Sequence, residues 1–336
     1  MIKTKIVKLK VKNPDNEKLK DLAKIISSGG IVAFPTETVY GIGANALDEK
    51  AVEKIFHAKG RPSDNPLIVH ISEIKEAKKL VKHIPTSAKL LAEKFWPGPL
   101  TIILKKNKIV PDIITAGLDT VALRVPDNKI ALELIKLSNC PISAPSANKS
   151  GKPSPTNAKH VYTDLNGKID AIIDGGKTKV GIESTVIDLT GETPTILRPG
   201  IISKKQISKF IKGVKLAIDK ETSSGKILSP GTKYKHYSPK AKIILIRSKD
   251  FKKEIEKIIK TNDKLAVLTT HRESKYSCNF FFIGNTPKMV AKNLFNFYRK
   301  LDELRIKTII IEAPENSEKW LAVNNRLNKS AWKIIE

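Results

Sequence analysis

Lys59-Gly60-Arg61-Pro62-Ser63-Asp64-Asn65-Pro66-Leu67-Ile68-Val69-His70 sets two cations beside a proline-bounded turn and runs straight into an apolar strand. Pro62 and Pro66 fix φ and push the residues before them into extended backbone, so the segment reads as a turn and not as helix. Gly60 reads as a point where backbone lets a ligand come close. Lys59 and Arg61 are then held by the turn as the floor of an anion or amino-acid site. Alone, a Lys-Gly-Arg triplet reads more readily as a solvated surface loop. The polar clusters elsewhere in the chain decide between the two.

Toward the N-terminus, residues 2–12 alternate apolar and lysine with period two, a strand whose lysines discourage edge pairing. Asn13-Pro14-Asp15 opens a helix with a stripe of Leu19, Leu22, Ala23, Ile25 and Ile26, closed by Gly29-Gly30. Ile31-Val32-Ala33-Phe34 is a buried strand that delivers Pro35-Thr36-Glu37-Thr38-Val39-Tyr40-Gly41-Ile42-Gly43. Two hydroxyls, a carboxylate and a phenol directly after a strand stand where open α/β sheets place ligands. Gly41-x-Gly43 has no third glycine and is separated from the strand by polar residues, so it does not indicate a nicotinamide site. A GxxxxGK[ST] loop is also missing, and any ATP must be held by scattered side chains. A short helix over 51–57 leads into the Lys59 turn.

Toward the C-terminus, the strand over 67–71 carries His70, which alone reads as a core or rim histidine. Residues 73–83 and 86–95 are helical in pattern, and Trp96-Pro97-Gly98-Pro99 is a sharp turn read as architecture. The strand over 119–126 sets Thr120, Ala122 and Arg124 on the face opposite Val121, Leu123 and Val125. An arginine there is costly to bury without a partner, so it reaches solvent or binds an anion. After a helix over 131–137, Pro141-Ile142-Ser143-Ala144-Pro145-Ser146-Ala147-Asn148-Lys149-Ser150-Gly151 offers hydroxyls, an amide and a cation in a loop suited to an anion nest. Strands over 169–174, 184–189 and 195–198 end on Arg198, and a helix over 203–212 closes the first domain.

Residues 219–240 read as a linker by composition, though Tyr234, His236 and Tyr237 are unusual in a spacer. Beyond it, strands over 242–246, 264–269, 279–283 and 307–312 alternate with helices over 250–260, 286–304 and 317–328, a small α/β domain. A docking or lid role is its default. The expected division is a catalytic domain over 15–212, a linker or lid over 213–240 and the small domain over 241–336.

With 336 residues, 40% hydrophobic and 28% charged, the chain has the composition of a soluble globular protein of about two domains. It has no run of eighteen apolar residues, and the alternating start lacks the apolar block of a signal peptide, so a cytoplasmic, non-membrane protein is expected. Cys140 and Cys278 have no partner at metal or redox spacing and read as buried thiols. The 61 Lys+Arg against 34 Asp+Glu give +27, which suits polyanionic partners such as nucleotides or RNA. Lysine-rich composition with few Cys and Met also fits heat adaptation.

Lys59-Gly60-Arg61 with Ser146-Ala147-Asn148, the Pro35–Gly41 stretch and Pro66-Leu67-Ile68-Val69-His70 together resemble the YrdC-like family of threonylcarbamoyl-AMP synthases, with the four blocks in order. Pro230-Gly231-Thr232-Lys233-Tyr234-Lys235-His236-Tyr237-Ser238-Pro239 and Asn325-Arg326-Leu327, with Lys329 and Ala331, resemble the long, two-domain branch that ends in a Rossmann-like domain. The resemblance implies an α/β fold with an open twisted mixed sheet of the YrdC-like type and a smaller Rossmann-like α/β domain.

It also implies a reaction: L-threonine, bicarbonate and ATP give threonylcarbamoyl-adenylate and diphosphate, and the product serves threonylcarbamoyladenosine modification of tRNA through downstream transferase proteins. Lys59, Arg61, Ser146, Asn148 and Arg198 are then the residues at the triphosphate, with Mg²⁺ carried by the phosphates and no metal ligand from the protein. Thr38, His70, Arg124 and the Ala144 backbone would hold threonine, with Arg124 on its carboxylate as a charge-assisted pair and Thr36 and Tyr40 lining the pocket. Asn65, Thr120 and Ser154 would face ATP, and Tyr234 would fold over the nucleotide. No side chain stands out as a general base, so catalysis by positioning is expected.

Two rivals remain. A sibling enzyme making plain carbamoyl-adenylate would carry acylphosphatase and paired-CxxC zinc segments, which this chain lacks. A non-enzymatic module binding double-stranded RNA or tRNA directly would show salt-sensitive RNA binding that ATP and threonine do not compete.

Overall fold

The computed structural model describes residues 3–217, 236–248, 250–259, 264–270 and 279–336, so Tyr234 and Cys278 lie outside the described residues. These residues form two compact units. The first holds 3–150, 155–179 and 183–217, and the second holds 151–154, 180–182 and the described residues from His236 onward. No described helix is long and apolar enough to cross a membrane.

The first unit opens with β1 (Lys5–Lys8), α1 (Asn16–Ser27), β2 (Val32–Pro35), β3 (Tyr40–Asn45), α2 (Glu49–Lys59) and β4 (Ile68–His70). It continues through α3 (Ala77–Leu80), α4 (Thr86–Phe95), β5 (Leu100–Lys105), α5 (Asp112–Thr115), β6 (Thr120–Arg124), α6 (Lys129–Ser138) and β7 (Ile142–Ser143). It ends with α7 (Ala158–Leu165), β8 (Ala171–Asp174), β9 (Thr185–Asp188), β10 (Thr195–Arg198), α8 (Lys204–Ile207) and β11 (Lys215–Leu216). One mixed sheet joins the strands in the order β1-β8-β2-β3-β7-β4-β6-β5-β9-β10-β11.

Alternation along β2 explains why its sequence is apolar throughout. Val32 and Phe34 pack with Leu19, Leu22 and Ile26 of α1 and Leu134 of α6. Ile31 and Ala33 pack with Ala51 and Ile55 of α2 and Val161 of α7. A strand covered by helices on both faces has no solvent side to mark with polar residues. Asp15 caps α1 by accepting from the Lys18 N–H at 3.2 Å, where the Asn-Pro-Asp turn places it.

Several boundaries differ from the sequence reading for local reasons. The alternating start forms only four residues of strand, and β1 is the sheet edge, parallel to β8. Helix α2 runs to Lys59, so that residue belongs to a helical last turn and not to the proline turn. Gly60 follows at φ 59° as a left-handed cap, and a Cβ there would meet no atom within 4 Å. Backbone conformation, not close approach, is what requires glycine at this position. The helix over 203–212 shortens to α8, because Ile211 and Val214 turn inward to the core, and β11 then adds a further strand beyond β10.

The second unit holds β12 (Lys242–Ile246), α9 (Phe251–Ile259), β13 (Leu265–Thr269), β14 (Asn279–Phe282), α10 (Pro287–Glu303), β15 (Thr308–Glu312), α11 (Leu321–Ser330) and β16 (Lys333–Ile335). Its sheet is parallel throughout, in the order β14-β13-β15-β12-β16, with the short last strand unforeseen in the sequence. Tyr237 is buried in this unit, stacked on Phe295 at 5.3 Å with the fully buried Arg326 over its ring at 5.6 Å. The end of the presumed linker is therefore core.

Gly43 of β3 faces Phe34 and Ile142 so closely that an added Cβ would stand 2.6–2.7 Å from both. Gly43→Ala is expected to destabilise the first unit by about 1–3 kcal/mol, read as a lower melting temperature; an unchanged melt would contradict this packing.

Candidate active site

Four polar stretches that are distant in sequence converge in the first unit. Pairing of β3 with β7 brings the 35–43 and 144–148 stretches together, extended by a bridge between Gly41 and Ser146 and by the Ala147 N–H donating to Tyr40 O at 2.8 Å. Helix α2 then points its last residue at the same loop. Lys59 is 3% exposed; its Nζ donates to the carbonyl of Ser146, and to that of Asn148 at 2.7 Å. Arg61 turns back on its own loop and donates to the carbonyls of Asn65 and Pro66 at 3.2 and 3.3 Å. Asn65 is buried, with an Oδ1 that has no hydrogen-bond partner among the described residues.

Arg124 anchors a second group. It ends β6 beside His70, its register partner in β4, and is 4% exposed. Its Nε donates to Gly98 O at 3.2 Å, its Nη2 donates to Thr38 Oγ1 at 3.0 Å, and the same Nη2 lies 2.7 Å from Glu37 Oε1. The sharp turn at Gly98 is thus architecture that holds an arginine. Thr38 is held in turn by Thr36, whose hydroxyl lies 2.8 Å from it and donates to Val39 O at 2.7 Å.

Burial, and then the positive charge of Arg124, lower the His70 pKa to about 3. Its ring is therefore neutral near pH 7, with a buried Nδ1 that has no hydrogen-bond partner among the described residues. Ala144 spends its N–H on Ile68 O at 2.9 Å, which leaves its carbonyl as the group it can offer.

Tyr40 is fully buried. Its hydroxyl donates to Gly176 O at 2.7 Å and accepts from the Gly175 N–H, and burial raises its pKa above the ordinary range. That phenol braces a turn. Arg198 forms a third group, donating through Nε and Nη2 to the carbonyl and hydroxyl of Ser184, each at 3.0 Å. Ser184 Oγ lies 2.8 Å from Thr101 Oγ1, and β5 and β9 pair beside them.

Not every expected residue joins these groups. Thr120 stands at the opposite end of β6 from Arg124, about 13 Å away at ~3.3 Å per residue. Ser154 is buried but belongs to the second unit. Two residues were missed: Glu37, visible in sequence as a carboxylate inside a buried polar stretch, and Ser184, whose partner Arg198 lies 14 positions on and gives no periodic signal. Cys140 is a free thiol, and burial pushes its pKa up to about 11, so it is not a reactive thiolate.

Two buried arginines and a buried lysine, each fixed by backbone or hydroxyl oxygens, define an α/β protein with a preorganised cationic frame of the kind suited to small anionic molecules. The chain belongs to the Sua5, YciO and YrdC family: the family model described as "Telomere recombination" matches residues 24–200. A model described as "Threonylcarbamoyl-AMP synthase, C-terminal domain" matches residues 202–331.

The chain is 48% identical to a threonylcarbamoyl-AMP synthase of Pyrococcus abyssi, over 95% of this chain and 96% of that one. It is 44% identical to a threonylcarbamoyl-AMP synthase of Bacillus subtilis, over 92% and 91%. Among solved structures it resembles P. abyssi Sua5 complexed with L-threonine, with a TM-score of 0.93 and 46% identity over 99% of each chain. Escherichia coli YciO matches at a TM-score of 0.54 and 26% identity, over 60% of this chain and 97% of that one.

The neutral His70 has a pH signature. Its folded pKa lies below the unfolded value, so its stabilising contribution is full above about pH 6.5 and is lost as pH falls toward 3, at about 1.4 kcal/mol per unit. Replacing it by His70→Gln is expected to flatten stability by about 2 kcal/mol between pH 6.5 and 5, measured by denaturant melts at both values. An identical pH slope in the two proteins would contradict the assignment.

Proposed function

We propose that this chain is an L-threonylcarbamoyladenylate synthase, a nucleotidyltransferase that makes threonylcarbamoyl-AMP for tRNA modification. L-Threonine, bicarbonate and MgATP give threonylcarbamoyl-AMP, diphosphate and water. The amine of threonine forms the N–C bond of a carbamate and water leaves. A carbamate oxygen then attacks the α-phosphorus, and the bond to diphosphate breaks. The cytoplasm and the downstream threonylcarbamoyl-transferase proteins are its proposed setting.

The observation that carries this reading is the seat of Lys59. Its ammonium group ties the end of α2 to the carbonyls of Ser146 and Asn148, so the two stretches expected at the triphosphate are one structure. Lys59, Arg61, Ser146 and Asn148 are the proposed catalytic group, acting on charge that develops at the phosphates. Asn65 and Arg198 extend it, and Thr120, Ser154 and Tyr234 are kept as proposed nucleotide contacts.

Thr38, His70, Arg124 and the Ala144 carbonyl form the proposed threonine pocket, with Thr36 and Tyr40 bracing it. Among the described residues no group of three or more His, Cys, Asp and Glu side chains could hold a metal ion. Mg²⁺ is proposed to enter as part of the substrate MgATP, carried by its phosphates.

The test is diphosphate release from MgATP with bicarbonate, comparing L-threonine, L-serine and no amino acid. Threonine-dependent release is expected, and Lys59→Ala or Arg61→Ala should reduce it by about 10²-fold or more. Absence of threonine-dependent release would return the chain to the RNA-binding reading.

A further inference from the structure

Glu37 is a carboxylate 3% exposed, set between Thr36 and Thr38 in the turn that joins β2 to β3. Its Oε1 lies 2.7 Å from Arg124 Nη2, yet neither of its oxygens accepts an aligned hydrogen bond among the described residues. Arg124 spends Nε on Gly98 O and Nη2 on Thr38 and Glu37, and its Nη1 has no partner among the described residues. The pair is therefore buried, neutral in sum, and unfinished at both ends: a guanidinium nitrogen still has donors to give, and a carboxylate still has lone pairs to fill.

A lone buried arginine would welcome any anion. The Glu37 carboxylate beside it repels simple carboxylates, so the pair favours a molecule that carries its own cation next to its carboxylate. Both charges of an α-amino acid sit on one carbon, so a carboxylate on Nη1 brings the ammonium to the neighbourhood of Glu37. We propose that Glu37 is the specificity-determining residue that receives the substrate's α-ammonium, and that the Arg124–Glu37 pair selects a zwitterion over the corresponding hydroxy acid. This rests on the synthase reading, with Arg124 at the substrate carboxylate.

The experiment compares binding of L-threonine and of 3-hydroxybutanoate, which is threonine without its amino group, by calorimetry on the full chain and on Glu37→Gln. The unmodified protein should prefer threonine by about tenfold or more, the scale of one hydrogen bond to a charged group. In Glu37→Gln, threonine should weaken about tenfold or more while 3-hydroxybutanoate binds as well as before or more tightly, because Arg124 has lost its counter-charge. Affinity for ATP should not change.

Parallel weakening of both ligands, or no change in either, would overturn the role of Glu37. Should Glu37→Gln fail to fold, the unmodified protein still decides: equal affinity for threonine and 3-hydroxybutanoate refutes selection of the zwitterion. Loss of threonine binding by the unmodified chain would instead remove the synthase reading, and this inference with it.

Discussion

An ammonium group taken out of water must be surrounded by acceptors, and those of Lys59 are backbone carbonyls of Ser146 and Asn148, 87 and 89 positions further along the chain. Much of the first unit can be read from that requirement. Helix α2 has to be long enough to deliver Lys59, and Gly60 has to end it in the left-handed region so the chain can turn into the proline loop. The β3–β7 pairing has to present the loop after β7 at the right height, which needs glycine at 43 where Phe34 and Ile142 press on β3. Charge, cap and packing thus specify the same arrangement.

The same economy governs the arginines. Arg124 and Arg198 are buried with their guanidinium groups spread over carbonyl and hydroxyl oxygens, so their charge is held in place before any ligand arrives. His70 is neutral beside Arg124, because burial and the adjacent arginine both resist its protonation. Such a frame is suited to reactions in which charge moves along a phosphate chain and little proton transfer is asked of the protein. The second unit, with a parallel sheet and Arg326 buried over Tyr237, is stabilised by its own core.

The polar stretches were legible because they break apolar patterns or sit in proline- and serine-rich loops: Thr36, Thr38 and Arg124 adjoin apolar strands, and Lys59, Ser146 and Asn148 stand in or beside the loops. Their pairings were not legible, since each depends on contacts set by the sheet order: Arg124 meets Thr38 across 86 positions, and Arg198 meets Ser184 through the antiparallel turn of β9 and β10. Glu37 was visible as a residue and silent as a role, because its meaning lies in the arginine beside it. The short strands β11 and β16 escaped for a different reason. Two or three residues carry no measurable period, and only the neighbouring strand makes them strands.

A single frame that joins an amino acid, a one-carbon unit and a nucleotide must make one product that contains all three. The most direct test supplies isotopically labelled bicarbonate with MgATP and L-threonine and follows the label by chromatography and mass spectrometry. Label should appear in a single product that contains both threonine and AMP, and only when all three substrates are present. ATP cleavage without label in an adenylate, or a labelled adenylate formed without threonine, would contradict it.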